Sequence, residues 1–252
     1  MIINSDINVL GSLPDLNLIN LFMNESMQTL NQNGGHRSYT AIKTDKSVKR
    51  FEKAIKLTFL HYDNSNIESL FKSIINAELI SSDSLLMIFW NASSNNELLN
   101  YLNENVYFPA FYSGRVSIKV DEVVACLKEL KETEKDIQSW SDSTIEVTAS
   151  KYLTLLKKFM LMNGSVNKTI IHPFLNDKMI MSFVYWICAV EQNVNILESN
   201  WLKYCFSERQ FFIERIMQKK FTKFIHLNYT GEKLKIQPII SYVNIYDAIT
   251  KS

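Results

Sequence analysis

The sequence predicts a mainly α protein: a helical bundle with a winged-helix-like C-terminal half and a short C-terminal β-hairpin. Three observations lead there. Only 6 Gly and 4 Pro occur in 252 residues, so turn-formers are scarce and long helices are favoured over a many-stranded sandwich. Apolar residues recur at three- and four-residue spacing through most of the chain. From Trp140 to Phe174 a capped amphipathic helix, an Asn163-Gly164 turn and a short β-branched run follow one another, in the order of a recognition helix and its wing.

In chain order, residues 1–13 read as a loose lead-in. Leu16, Leu18, Ile19, Phe22, Met23, Met27 and Leu30 predict a helix from Asp15 to Asn31, broken by Asn33-Gly34-Gly35. A second helix starts at Asp45, a plausible N-cap, and runs to His61. Val48, Phe51, Ile55 and Phe59 form its apolar stripe, and Lys46, Lys49, Arg50, Lys53 and Lys56 share the other side with one acid, Glu52. Such a face is placed to neutralise phosphates, and it is equally a common kind of solvated face.

A third amphipathic helix spans Asn66 to Ile80, and Ser82 to Trp90 reads as a buried helix broken by Asn91 to Asn95. A short helix follows from Asn96 to Leu102. Tyr107 to Tyr112, aromatic and holding Pro109, reads as a packed bend. Ile118 to Ser139 is a mixed-charge helix with Val120, Val123, Val124, Leu127 and Leu130 facing the core.

The next helix opens on Ser141, Ser143 and Thr144, with Ser143 and Glu146 spaced for a capping box. Ile145, Ala149, Tyr152, Leu156 and Phe159 make its buried stripe, flanked by Thr144, Thr148, Lys151 and Lys158. Hydroxyls ahead of a lysine suit a helix docked in a DNA groove, and suit a solvated face as well. The wing runs from Asn163 to Pro173, with Thr169, Ile170 and Ile171 as strand formers.

Leu175 to Val190 is a hydrophobic helix, and another begins at Asn200 to Tyr204. Ser207 and Gln210 form a capping box before a helix from Glu208 to Lys220, whose end is basic: Arg215, Lys219, Lys220 and Lys223. The best hairpin signal pairs Phe224–Tyr229 with Lys233–Ile236 across Thr230-Gly231-Glu232, and Tyr242 to Ile249 closes the chain as a short helix. These elements divide into an N-terminal helical domain, 1–116, and a winged-helix-like domain with a helical and hairpin extension, 117–252.

Composition narrows the function classes. With 46% hydrophobic and 21% charged residues the chain reads as globular and water-soluble. The net charge of +1 excludes a global basic field, so any nucleic-acid site is a local patch. The most apolar run, Met179 to Val190, is well short of the ~20 residues of a membrane span. No signal peptide is read, and three scattered cysteines, Cys126, Cys188 and Cys205, fit a reducing, cytoplasmic setting.

Catalytic signatures do not emerge. His36, His61, His172 and His226 are far apart in sequence and lack metal-ligand spacing. The chain has neither a phosphate-binding glycine loop nor a nucleophile elbow, and Cys188 sits in the most apolar helix. The expectation is a protein that is not an enzyme, with no cofactor, no metal and no small-molecule substrate.

Several segments together resemble the BrxA family of BREX phage-exclusion components. They are Ser47-Val48-Lys49-Arg50 with Phe51 to Leu60, Leu85 to Asn91, Trp140 to Gly164, Ile171-His172-Pro173, and Asn200-Trp201-Leu202-Lys203. The resemblance covers about residues 15 to 206; residues 207–252 extend past the shorter members of the family. It implies a double-stranded-DNA-binding accessory role in a defence complex alongside other BREX proteins, a mixed helical and winged-helix-like fold, and no catalytic residues. Carried onto this sequence, it places DNA contacts on Lys46, Lys49, Arg50 and Lys53 and, from the recognition-type helix, on Ser143, Thr144, Thr148 and Lys151. Lys219, Lys220 and Lys223 join them on local charge alone. Two other readings compete. One is a protein-interaction scaffold presenting Tyr107, Phe108, Phe111 and Tyr112; the other is an RNA-binding helical module.

Overall fold

Helical spacing of apolar residues carries through to the computed structural model, which describes residues 3–16, 18–19, 42, 44–75, 80–165, 168–191 and 195–250. The described chain is mainly helical, with two short antiparallel strand pairs. By its internal packing it forms two compact units: residues 1–61 with 77–172, and residues 62–76 with 173–252. The domain boundary expected at residue 116 falls inside the first of these. Most of the helix expected from Asp15 to Asn31, and the Asn33-Gly34-Gly35 break, lie outside the described residues.

In the first unit, α1 spans Asp6–Gly11, where the sequence reads as a loose lead-in. Ile7, Leu10 and Leu13 are fully buried or nearly so, at the three-residue spacing that lets a single turn and a half of helix seal one face. The apolar pattern is there in the sequence, but it is too short to stand out without its packing partner.

α2 spans Asp45–Thr58, capped by Thr44, whose hydroxyl accepts from the Ser47 amide. Asp45, the expected cap, is the first helical residue. α3, in the second unit, spans Ser65–Ile74 and is capped by Asn64. α4 spans Ser82–Asn95 and runs straight through the asparagine-rich stretch that reads as a break. The reason is tertiary: Asn91 and Asn95 donate to the carbonyls of Thr58, Phe59 and His61, the groups left open at the end of α2. Asn96 then caps α5, Glu97–Leu102, by accepting from the Leu99 amide.

A π-helical turn over Asn103–Tyr107 leads into α6, Phe108–Tyr112. The expected bend is therefore helical. Pro109 sits at the start of α6, where a missing N–H is tolerated. Inside the wide turn, the Asn103 amide donates to the Ser93 hydroxyl and its carbonyl oxygen accepts from Tyr152. Tyr107, Phe108 and Phe111 are buried, so the aromatic run is core and not the exposed scaffold patch anticipated from sequence.

α7 spans Val120–Thr133 and α8 spans Lys135–Gln138. α9, Asp142–Lys158, is capped by Ser141, which accepts from the Thr144 amide. The capping box expected at Ser143 and Glu146 is displaced by this cap two residues earlier. α9 stops with Met160 in the left-handed region at φ 59°, with no glycine to mark the stop. β1 (Met162–Asn163) and β2 (Thr169–Ile170) then pair antiparallel, Met162 opposite Ile170. On the other edge of β2, Ile170 donates to the Val116 carbonyl at 2.8 Å and Ser117 bridges to Thr169. Phe59 and Phe159, at the ends of α2 and α9, interlock with Phe89 from the middle of α4; Phe159 has its ring centroid 6.0 Å from Phe59 and 5.4 Å from Phe89. Full burial of each such ring contributes roughly 1.5–3 kcal/mol.

The second unit is built on α10, Asp177–Val190, which is buried almost all round. α3 packs on it, and the Asn64 amide donates to the Ala189 carbonyl. Residues 200–205 form a 3-10 helix, and α11 spans Arg209–Ile216. The capping box expected at Ser207 and Gln210 does not form; Glu208 is the N-cap and makes no side-chain cap bond. Trp186, Trp201 and Tyr204 cluster with centroids 5.0–6.4 Å apart. The expected hairpin forms as β3 (Ile225–Tyr229) and β4 (Leu234–Pro238), turning at Gly231 with φ 88°. α12, Ile245–Thr250, packs against α10 and α3.

Candidate nucleic-acid interface

α2 carries the basic face. Lys46, Lys49, Arg50 and Lys53 recur at three- and four-residue spacing, so they share one side of the helix, and all four are exposed. Among the described residues none of them makes an ion pair. Lys56, one turn on, is paired with Glu52 at 2.8 Å. An opposing charge comes from Asp6 of α1. Burial pushes its carboxyl above the usual value, against the pull of Lys53 and Arg50.

α9 turns a different side to solvent than its sequence implies. α1 packs along it and covers the Thr144–Thr148–Lys151–Lys158 flank. Thr148 is fully buried; its hydroxyl donates to the Thr144 carbonyl at 2.8 Å and accepts from the Asn8 amide at 3.0 Å. Thr148 therefore leaves the set of candidate DNA contacts. Lys151 is half-buried, with Gly11 seated against its backbone. Lys158 donates to the Leu13 carbonyl, and its burial, with the Lys151 charge nearby, brings its ammonium pKa down to about 8.

Ser143 stays exposed and Thr144 half-exposed, and both hydroxyls bond to the Ser141 hydroxyl, at 3.0 and 2.9 Å. The open stripe of α9 carries Ser143, Glu146, Val147, Ser150 and Lys157, about a third of a turn from the expected one at ~100° per residue. Sequence reasoning missed Ser150, Lys157 and Lys168. Lys157 lies in the last turn of α9 and Lys168 just before β2; burial lowers the Lys168 pKa, and the charge of Lys157 lowers it further. Helix phase alone does not reveal Ser150 and Lys157, because the buried stripe of α9 is wide enough to admit either flank, and Lys168 lies off the helix.

Lys219, Lys220 and Lys223 belong to the second unit and are exposed there. Lys220 is tied to Asp177 at 2.5 Å. Among the described residues no group of three His, Cys, Asp or Glu side chains is gathered to hold a metal ion. Burial pushes the thiols of Cys188 and Cys205 up to about 12, which keeps both protonated. No helix among the described residues is long and apolar enough to cross a membrane.

No curated protein and no solved structure matches the chain. Residues 39–183, which hold the basic helix α2, α9 and the β1–β2 pair, match the BrxA family. That match takes in more than half of the sequence, and the chain belongs to the BrxA family, whose members are associated with BREX phage exclusion.

Proposed function

We propose that this protein binds double-stranded DNA, mainly through phosphates, as a non-catalytic component of a BREX system. The observation that carries the reading is the exposed α2 face, four cations on one side of a helix with no carboxylate partner among the described residues. Each cation that meets a phosphate releases condensed counterions, so affinity arises from salt-dependent contacts without base readout.

The elements around α9 support the same reading. A helix ending at Tyr112, an edge segment at 116–118, α7, α9, β1 and β2 follow one another in the order of a winged helix. In that frame α9 is the recognition helix and the loop after Asn163 is the wing. Ser143, Ser150, Lys157 and Lys168 are then the groups aimed at the duplex. Glu146 and Val147 on the same stripe offer no donor to a guanine edge, which fits weak sequence preference.

Duplex binding followed by fluorescence anisotropy over a salt series tests the proposal. Log affinity falls linearly with log salt in the wild type. Lys49→Glu combined with Arg50→Glu flattens that slope by about 2, at roughly 0.9 per lost phosphate contact. Absent or salt-insensitive binding at low ionic strength overturns it. Duplex RNA competing as well as duplex DNA shifts the reading to an RNA-binding module.

A further inference from the structure

The second unit has a cavity of about 750 Å³ at the start of α10. Four cations line it, Lys178, Arg215, Lys220 and Lys223, against one carboxylate, Asp177. Asp177 bonds to Arg215 at 3.3 Å and to Lys220 at 2.5 Å. Lys178 and Lys223 have no carboxylate partner among the described residues.

Each of the four cations also lies over an aromatic ring. Arg215 stands 4.8 Å from the Phe174 centroid, Lys220 5.0 Å from Phe221, Lys223 5.1 Å from Phe224 and Lys178 5.0 Å from Tyr246. Phe221 and Phe224 are buried, so their rings are spent inside. Phe174 is 81% exposed at the edge of the cavity, with Arg215 stacked against it. A large apolar ring left in water beside a concave, cationic surface offers a flat face to a flat partner.

We propose that this cavity takes one unpaired nucleotide of a nucleic-acid strand, its base on the Phe174 ring and its phosphate between Lys178 and Lys223. Stacking needs a base that has left its own stack, which a duplex does not present, and the cations supply the backbone contact. The positive end of α10 adds to the field felt by the phosphate. Asp177 holds Arg215 and Lys220 in place, and two of the four cations remain for the ligand. The site stands apart from the duplex reading, which rests on α2.

The test is anisotropy of a labelled oligothymidylate and a labelled duplex with the full chain. Phe174→Ala weakens oligothymidylate binding about tenfold, in line with ~1–3 kcal/mol per stacked base, and leaves duplex binding unchanged. Phe174→Trp restores it. Lys223→Glu flattens the salt slope for the single strand by about 0.7. Lys49→Glu does the reverse, lowering duplex affinity and sparing the oligothymidylate. Phe174 is too exposed for its loss to unfold the unit, and a thermal melt checks that. Oligothymidylate binding that ignores Phe174→Ala, or that inorganic triphosphate abolishes with equal potency in wild type and Phe174→Ala, makes the cavity a bare electrostatic patch and overturns the proposal. Loss of duplex binding with Phe174-dependent single-strand binding intact leaves it standing.

Discussion

At Gly11 the chain lacks a side chain because there is no room for one. A Cβ there would lie 2.5 Å from the Lys151 carbonyl oxygen and 2.8 Å from the Lys151 Cβ. Backbone atoms cannot swing aside, so Gly11→Ala forces α1 off α9. Overpacking of this kind costs about 1–3 kcal/mol, read as a lower urea midpoint with an unchanged m-value. The same contact explains why Thr148 and Lys151 are poor candidates for DNA. Nothing in a helical wheel of α9 says that α1 takes that flank; the two segments are separated by well over a hundred residues. The basic residues of α2 are different. Lys46, Lys49, Arg50 and Lys53 are legible because a dense run of cations opposite an apolar stripe has only solvent to face.

Among the elements, α2 owes its exact end to α4. The carbonyls of Phe59 and His61, just past the last residue of α2, accept from Asn91 at 2.8 and 3.0 Å. Asn91→Leu removes a buried donor and takes a partner from the Phe59 carbonyl, while His61 keeps its bond from Asn95, at about 1–3 kcal/mol. The expected signature is a drop in thermal midpoint, with faster amide exchange concentrated in the last turn of α2. Because α2 carries the basic face, duplex affinity in this variant falls only as far as that turn frays, and the salt slope is retained. Asparagine runs look like breaks in a sequence because their side chains compete with the backbone. Here the competition is directed outward, at a neighbouring helix, and α4 continues. Aromatic Tyr107 to Tyr112 misleads in the same manner, since burial of Tyr107, Phe108 and Phe111 favours continued helix over the break that Pro109 announces.

The molecule is threaded through its two units three times, at residues 61–62, 76–77 and 172–173. α3 leaves the first unit's chain to pack on α10 and α12, with Ile67, Leu70, Phe71 and Ile74 buried. A chain ended after His172 keeps α3 but loses α10 and α12, which cover it. Four large apolar side chains then face water, and such a fragment elutes as soluble aggregate on size exclusion, whereas one that also replaces 62–76 with a short polar linker elutes as a monomer. A boundary near residue 116 gives no warning of this, because it places 62–76 in one domain with the helices before and after it. Near-neutral net charge is also a property of the whole chain, and it confines any nucleic-acid affinity to local faces whose salt slopes are small and separable.

By itself the sequence determined the helical class, the basic face of α2, the β3–β4 hairpin and the family, because each rests on local spacing or on residue runs that no distant contact can reverse. The tertiary structure decided which side of α9 meets solvent, how α1 is used, where α4 ends and which unit holds α3. Those choices depend on partners far away in sequence, and an amphipathic helix with two acceptable flanks has no local reason to prefer either. The cavity at Phe174 is of this second kind: its four cations come from α10, α11 and the stretch between α11 and β3, and only folding gathers them around one cavity.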